Sequence, residues 1–273
     1  MKIVVPLKTL TFGMPLAKTS INIAKKIGAE ITFLHVVDTR PHPRAMYRTI
    51  PSAMVTSLKE QGRRTLDEVV NLANLAGIKA GSKLVEGSPA EEILNAVSEA
   101  DLLVIRPRVF SPERRFGDIT EEIIKRTVKP VMVLEREHAK FEKCLVPFDG
   151  SKEAKTALKF LVEYGDRMTL DEINIVYVAK TLKETKRGVH LLREAEEITR
   201  GLKTKVETQL ITAEEKKEIP ARLKNYCTQN RIDFIVMGRT GKGAIKRFFL
   251  GSVSRALLGM MTIPIILVPF VPD

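Results

Sequence analysis

The second half of this 273-residue chain repeats the first, and no other feature limits the fold as much. A repeat this long implies two units that each build a core. Met1–Leu7 corresponds to Glu142–Phe148, with Lys2, Val5 and Pro6 matched by Lys143, Val146 and Pro147. Asp101–Ile105 (DLLVI) corresponds to Asp233–Met237 (DFIVM), and Lys129–Leu134 to Ile263–Val268. The offset is 141 residues at the front and 132 to 134 at the back. This divides the chain into units 1–138 and 139–273, joined near Arg136–Phe141.

Within each unit, short apolar runs rich in β-branched residues alternate with longer stretches of helical period, the pattern of βαβ units around a parallel sheet. In the second unit strands are expected near Cys144–Pro147, Ile173–Val178, Lys205–Ile211, Ile232–Met237 and Ile265–Val268. Helices fill the gaps: Ser151–Tyr164 with Ser151 as N-cap, Glu184–Gly201, Glu215–Gln229 and Ser252–Met260. The first unit repeats the plan, with strands near Ile3–Pro6, Ile31–Val37, Ser82–Glu86, Leu102–Ile105 and Val131–Leu134. The fold class is therefore α/β: two doubly wound, five-stranded, parallel-sheet, Rossmann-like domains in tandem. Arg40–Pro51 is read as an irregular, mobile loop.

Composition narrows the function classes. With 44% hydrophobic and 29% charged residues, the chain is neither disordered nor collagen-like. Apolar stretches such as Ile263–Val271 are broken by prolines and far too short to span a bilayer. Met1–Leu7 runs straight into a strand without the apolar core of a leader, so a cytoplasmic location is expected. The two cysteines, Cys144 and Cys227, match no zinc or redox spacing, and the four histidines form no metal-binding pair. No metal site is expected. The net charge of +12 favours polyanionic partners, but it is spread evenly over both units, and no nucleic-acid-binding motif accompanies it.

The most informative stretch follows the fourth strand of the second unit. Gly238, Gly241 and Gly251-Ser252 form the pattern G-x2-G-x9-G-S, ending at the start of the last helix. Glycines allow positive φ and close approach to a ligand, and free N–H groups at a helix start favour an anion. No acidic residue lies between Phe234 and Pro272, whereas Arg239, Lys242, Lys246, Arg247 and Arg255 do. The spacing fits neither the P-loop nor the dinucleotide fingerprint, and glycines alone would equally suit a plain strand-to-helix link. A second cluster, Val146–Ser151 (VPFDGS), ends the first strand of the same unit. In an open parallel sheet the ends of strands one and four share a crevice, so Asp149 and Gly238 should face it together.

On these residues the sequence resembles a tandem universal stress protein over nearly its whole length. The second unit matches the ATP-binding motif of that family at Gly238, Gly241, Gly251 and Ser252. The resemblance implies that Asp149 lies near base and ribose, that the backbone of Val178 contacts adenine, and that Met237, Arg239 and Val253 line the site. It further implies ATP as ligand, alone or with magnesium or manganese, and an internal pseudo-dimer of the two units through the Val131–Leu134 and Ile265–Val268 edges, with a homodimer as a further option.

The first unit departs from that motif. Lys8 stands at the aspartate position, Arg106 and Val109 replace the loop glycines, Pro107 stiffens the backbone, and Asp118 takes the place of Ser252. A carboxylate at a helix start repels phosphate, so the first unit reads as ligand-free. It keeps Gly87–Ile93 (GSPAEEI) after its third strand, where the second unit has Thr212–Glu215 (TAEE). The leading expectation is a stress-response or signalling protein holding one adenine nucleotide in its second unit. Two alternatives are a slow ATPase or autophosphorylating enzyme, with only Asp149 and Ser252 as candidates and no evident base, and a nucleotide-free interaction module. Phe248-Phe249-Leu250 reads as a hydrophobic anchor for the loop, and Met260-Met261 as core.

Overall fold

Short apolar runs become strands in the computed structural model, which describes residues 1–40, 51–107, 118–138, 140–241 and 250–271. The first half contains β1 (Lys2–Pro6), α1 (Leu10–Ile27), β2 (Glu30–Asp38), α2 (Ser52–Leu75), β3 (Ala80–Gly87), α3 (Pro89–Ser98), β4 (Leu102–Ile105), α4 (Asp118–Arg126) and β5 (Val131–Val133). The second half contains β6 (Lys143–Pro147), α5 (Lys152–Tyr164), β7 (Glu172–Ala179), α6 (Leu182–Thr199), β8 (Lys205–Thr212), α7 (Ile219–Asn230), β9 (Phe234–Gly238), α8 (Ser252–Met260) and β10 (Ile265–Val268). The expected strands match these within two residues at each end. Helix α7 starts later than expected: Pro220 in its first turn has no N–H to donate backwards, and Lys216–Glu218 forms a 3-10 turn instead. Most of the irregular Arg40–Pro51 loop, with Val109 and the Phe248-Phe249 pair, lies outside the described residues.

Strand order is β3-β2-β1-β4-β5-β10-β9-β6-β7-β8. Each half is thus a parallel, doubly wound sheet of Rossmann type, with the chain reversing direction beside β1 and again beside β6. The sheets meet through β5 and β10, which pair antiparallel with Val131 opposite Leu267, Met132 opposite Ile266 and Val133 opposite Ile265. All six residues are buried, so this seam is covered by helices on both faces like the interior of either half.

Helices α1, α2, α5 and α6 cover one face, and α3, α4, α7 and α8 the other. The repeat extends to details that hold the strands in place. Asp101 donates its N–H to the Lys2 carbonyl and accepts from the Lys2 N–H at 2.7 Å, and Asp233 does the same with Lys143 at 2.9 Å. In both halves a ring on the second strand packs under a helical glycine: His35 under Gly62 and Tyr177 under Gly188, where an added Cβ would come within 2.4 and 2.5 Å of the rings. Helix starts follow the sequence. Ser151 caps α5 by accepting from the Ala154 N–H, and Thr181 caps α6 by accepting from Glu184, whose carboxylate reaches back to the Lys180 N–H.

Candidate functional site

At the end of β6 the chain must turn from strand to helix within a few residues, and Asp149-Gly150-Ser151 does so. Asp149 Oδ1 accepts from the Ser151 N–H at 2.9 Å, Gly150 takes φ +73°, and Ser151 opens α5. Any side chain at Gly150 would be strained by that φ and would also meet Leu191 at 2.4 Å. The turn fixes the Asp149 carboxyl at the carboxyl end of the sheet, beside β9.

The loop after β9 meets it there. A Cβ on Gly241 would lie 2.7 Å from Asp149 Oδ2, so the glycine pattern and the aspartate expected to share a crevice are in contact distance. A Cβ on Gly238 would collide with Glu153 in α5, at 2.6 Å from its Cβ and 2.9 Å from its backbone carbon. One on Gly251 would sit 3.3 Å from the Thr240 backbone. The reason for these glycines differs from the sequence expectation: none of the three adopts a left-handed φ, and Gly238 is required by the close approach of β9 to α5 instead.

The two flanks of the loop are joined. Gly251 donates its N–H to the Arg239 carbonyl at 3.1 Å, and the buried Ser254 hydroxyl donates to the Gly238 carbonyl at 3.2 Å. The Thr240 hydroxyl donates to Glu153 Oε1 at 2.8 Å. Thr240, Glu153 and Ser254 had no signal in the sequence, because each pairs across the loop or across helices without periodic spacing. Gly251 is the N-cap of α8, so the Ser252 and Val253 N–H groups fall in the first turn, where the helix offers no acceptor. Ser252 is exposed. Lys242, Lys246 and Arg247 lie outside the described residues.

Val178, Met237 and Val253 belong to the face covered by α7 and α8, so the structure brings these expected residues to one side of the sheet. The Val176 carbonyl accepts from Phe148 on the β6 side, and by the two-residue period Val178 presents its peptide groups on that side, beyond the end of β6. Arg239 is directed elsewhere. Its Nη1 donates to the carbonyls of Thr127, Lys125 and Ile124 at 2.8, 2.9 and 3.2 Å, at the end of α4 in the first half.

In the first half the equivalent place is filled. Arg106, at the position of Gly238, donates to the Phe12 carbonyl at 2.9 Å and lies 5.9 Å over the Phe12 ring. Phe12 occupies the position of Glu153. Lys8 is exposed, and Asp38 is chelated by Arg40 at 2.8 and 2.7 Å, which holds its carboxyl below the usual range. Neither cysteine offers a nucleophile: both are buried thiols, Cys227 pushed up to about 12 by burial and Cys144 raised for the same reason. Among the described residues no helix is long and apolar enough to cross a membrane.

The sequence profile of the universal stress protein family matches residues 1–135 and again 140–269. A universal stress protein of Methanocaldococcus jannaschii is 32% identical over 139 residues, 50% of this chain and 82% of that protein. A second, from Synechocystis, is 28% identical over 151 residues, 55% of this chain and 50% of that protein. The crystal structure of a universal stress protein from Archaeoglobus fulgidus matches with a TM-score of 0.77 over 98% of this chain and 96% of that one, at 21% identity, a likeness of fold. Matched twice along its length by one profile and wound twice into the same sheet, the chain belongs to the universal stress protein family.

Proposed function

We propose that the chain is a cytoplasmic, stress-linked nucleotide sensor that binds one ATP, or a close adenine nucleotide, in its second unit (139–273). The observation that carries this reading is the meeting of Gly241 with Asp149: the carboxylate stands so close to a loop leading to a helix start that a Cβ on Gly241 would lie 2.7 Å from its Oδ2. In this reading the N–H groups of Ser252 and Val253, with Gly238, Gly241 and Gly251, hold phosphate. Asp149 takes the ribose, the Val178 peptide and the side chains of Met237 and Val253 meet the base, and Arg239 contributes by its place between Gly238 and Gly241. Magnesium or manganese would come with the phosphates. The first unit (1–138) acts as an internal partner in a pseudo-dimer, a reading supported by the buried β5–β10 seam.

Rapid turnover is not part of this reading. Phosphoryl transfer needs a group that orients the nucleophile, and the sequence offers only Asp149 and Ser252 as candidates, with no evident base. Calorimetric titration of the purified chain should give saturation below millimolar ATP, and Gly241→Val should remove it by pushing a side chain into Asp149. Absence of heat up to millimolar ATP would sink the proposal. Labelled phosphate release with magnesium or manganese should be far slower than the ~1–100 s⁻¹ of kinases. Fast release abolished by both Asp149→Ala and Ser252→Ala, with binding retained, would make the protein an ATPase instead.

A further inference from the structure

Arg239 lies between two glycines of the loop, and both of its peptide groups are committed: its N–H donates to the Val268 carbonyl and its carbonyl accepts from the Gly251 N–H. Its side chain is 6% exposed and ends on three carbonyls in the last turn of α4 and just beyond. Carbonyls at a helix end lack partners within the helix and carry the negative end of its dipole, so a cation donating there is favourable. Helix α4 does have basic residues of its own in that turn, but both are drawn off to carboxylates. Lys125 pairs with Glu121 at 2.7 Å, and Arg126 with Glu91 and Glu122 at 2.6 Å each. The cap is left to Arg239.

The other flank of the loop grips the same helix. Arg255, in the first turns of α8, donates to Glu121 of α4 at 2.8 Å. The arrangement has no counterpart in the reverse direction: the position equivalent to Arg239 in the first half is Pro107, which has neither an N–H nor a polar side chain.

We infer that Arg239 is a positioning residue that makes the last turn of α4, in the first half, part of the support for the glycine loop of the second. Coupling of this kind is reciprocal, so whatever orders the loop must also order the end of α4. The ligand arm of the inference rests on the nucleotide reading above; the mechanical arm does not.

The test is hydrogen exchange on the full chain, comparing parent, Arg239→Met and Arg239→Lys with and without ATP. Without nucleotide, Arg239→Met should speed exchange in both 123–129 and 250–256 and leave β7 and β8 unchanged, and Arg239→Lys should restore part of the protection. With ATP, the parent should gain protection at 123–129, on the opposite half from the ligand, and Arg239→Met should lose that response and bind ATP about tenfold more weakly, within the usual range of coupling. Unchanged exchange at 123–129 in Arg239→Met would overturn the inference, as would ATP binding equal to that of the parent. A parent that binds no ATP defeats the nucleotide reading, while the nucleotide-free comparison still decides the role of Arg239. Should Arg239→Met fail to fold, Arg239→Lys carries the same comparison.

Discussion

Arg106 in the first half and Gly238 in the second occupy equivalent positions at the end of a central strand, each against the third or second residue of its own half's opening helix. In the first half the arginine lies over Phe12 and bonds to its carbonyl. In the second, the glycine lets β9 approach Glu153 so closely that no side chain fits. Features that build the sheet are repeated, including the Asp101 and Asp233 clamps and the rings under Gly62 and Gly188. Those at the carboxyl ends of the strands are not. Divergence includes the place where an open sheet meets ligands, which is where it can change function without cost to the core.

The contrast can be broken most severely at the aspartate. Asp149→Lys copies Lys8 of the first half into the second and should weaken ATP binding by about 10- to 100-fold, the scale of a lost hydrogen bond to a charged group. Lys8→Asp should leave the calorimetric count at one nucleotide per chain; a second site would show that the first half is only one residue from competence. Next in size, Gly238→Ala should destabilise the protein by ~1–3 kcal/mol through overpacking against α5. Arg106→Ala, at the same place in the first half, loses one exposed hydrogen bond and a ring contact and should cost about 1 kcal/mol. Chemical denaturation of both variants measures the difference, and equal losses would remove the steric account of Gly238.

Acid should separate the halves more gently. Burial lowers the pKa of His35, whose Nδ1 has no hydrogen-bond partner among the described residues. Below its ordinary value of 6.5, the unfolded chain takes up a proton that the folded one resists. Stability is therefore lost as pH falls through that value, and the loss levels off below the folded pKa. Amides of α2 should exchange faster near pH 5 than near pH 7.5, after correction for intrinsic rates, while those of α6 over Tyr177 should not. His35→Tyr should abolish the difference. The smallest effect is expected at Glu121, which Arg255, then Lys125, hold down to about 2 from an ordinary 4.5. Its contribution is complete above 4.5 and fades toward 2, and solvent limits it to about 1 kcal/mol or less. Glu121→Gln should flatten acid unfolding across that window.

The fold was legible because buried strands such as Leu102–Ile105 and Ile265–Val268 are continuous apolar runs and because each run occurs twice. The site was legible only where local chemistry fixes it. Asp149-Gly150-Ser151 is a strand-to-helix turn in any context, and Gly251 followed by a helical period announces a helix start. Ser254 and Thr240 act through partners sixteen and eighty-seven residues away, and nothing in the spacing reports that. Arg239 is the clearest case. As a basic residue inside a glycine loop it reads as a ligand contact, and only the packing of α4 against the second half reveals where its guanidinium goes.

Met132 faces Ile266 across the seam, and Glu121 meets Arg255 beside it. The members of each pair are 134 positions apart, the same offset that relates the two copies of the last strand. Each therefore joins one position to its own counterpart, as happens on a twofold axis. Between identical subunits a residue on that axis must face its own copy, so an acid there opposes an acid and a base opposes a base. Fusing two copies into one reading frame lifts that restriction, since each can mutate alone. Attraction at the centre of the seam is thus open to a duplicated chain and closed to a homodimer of either half.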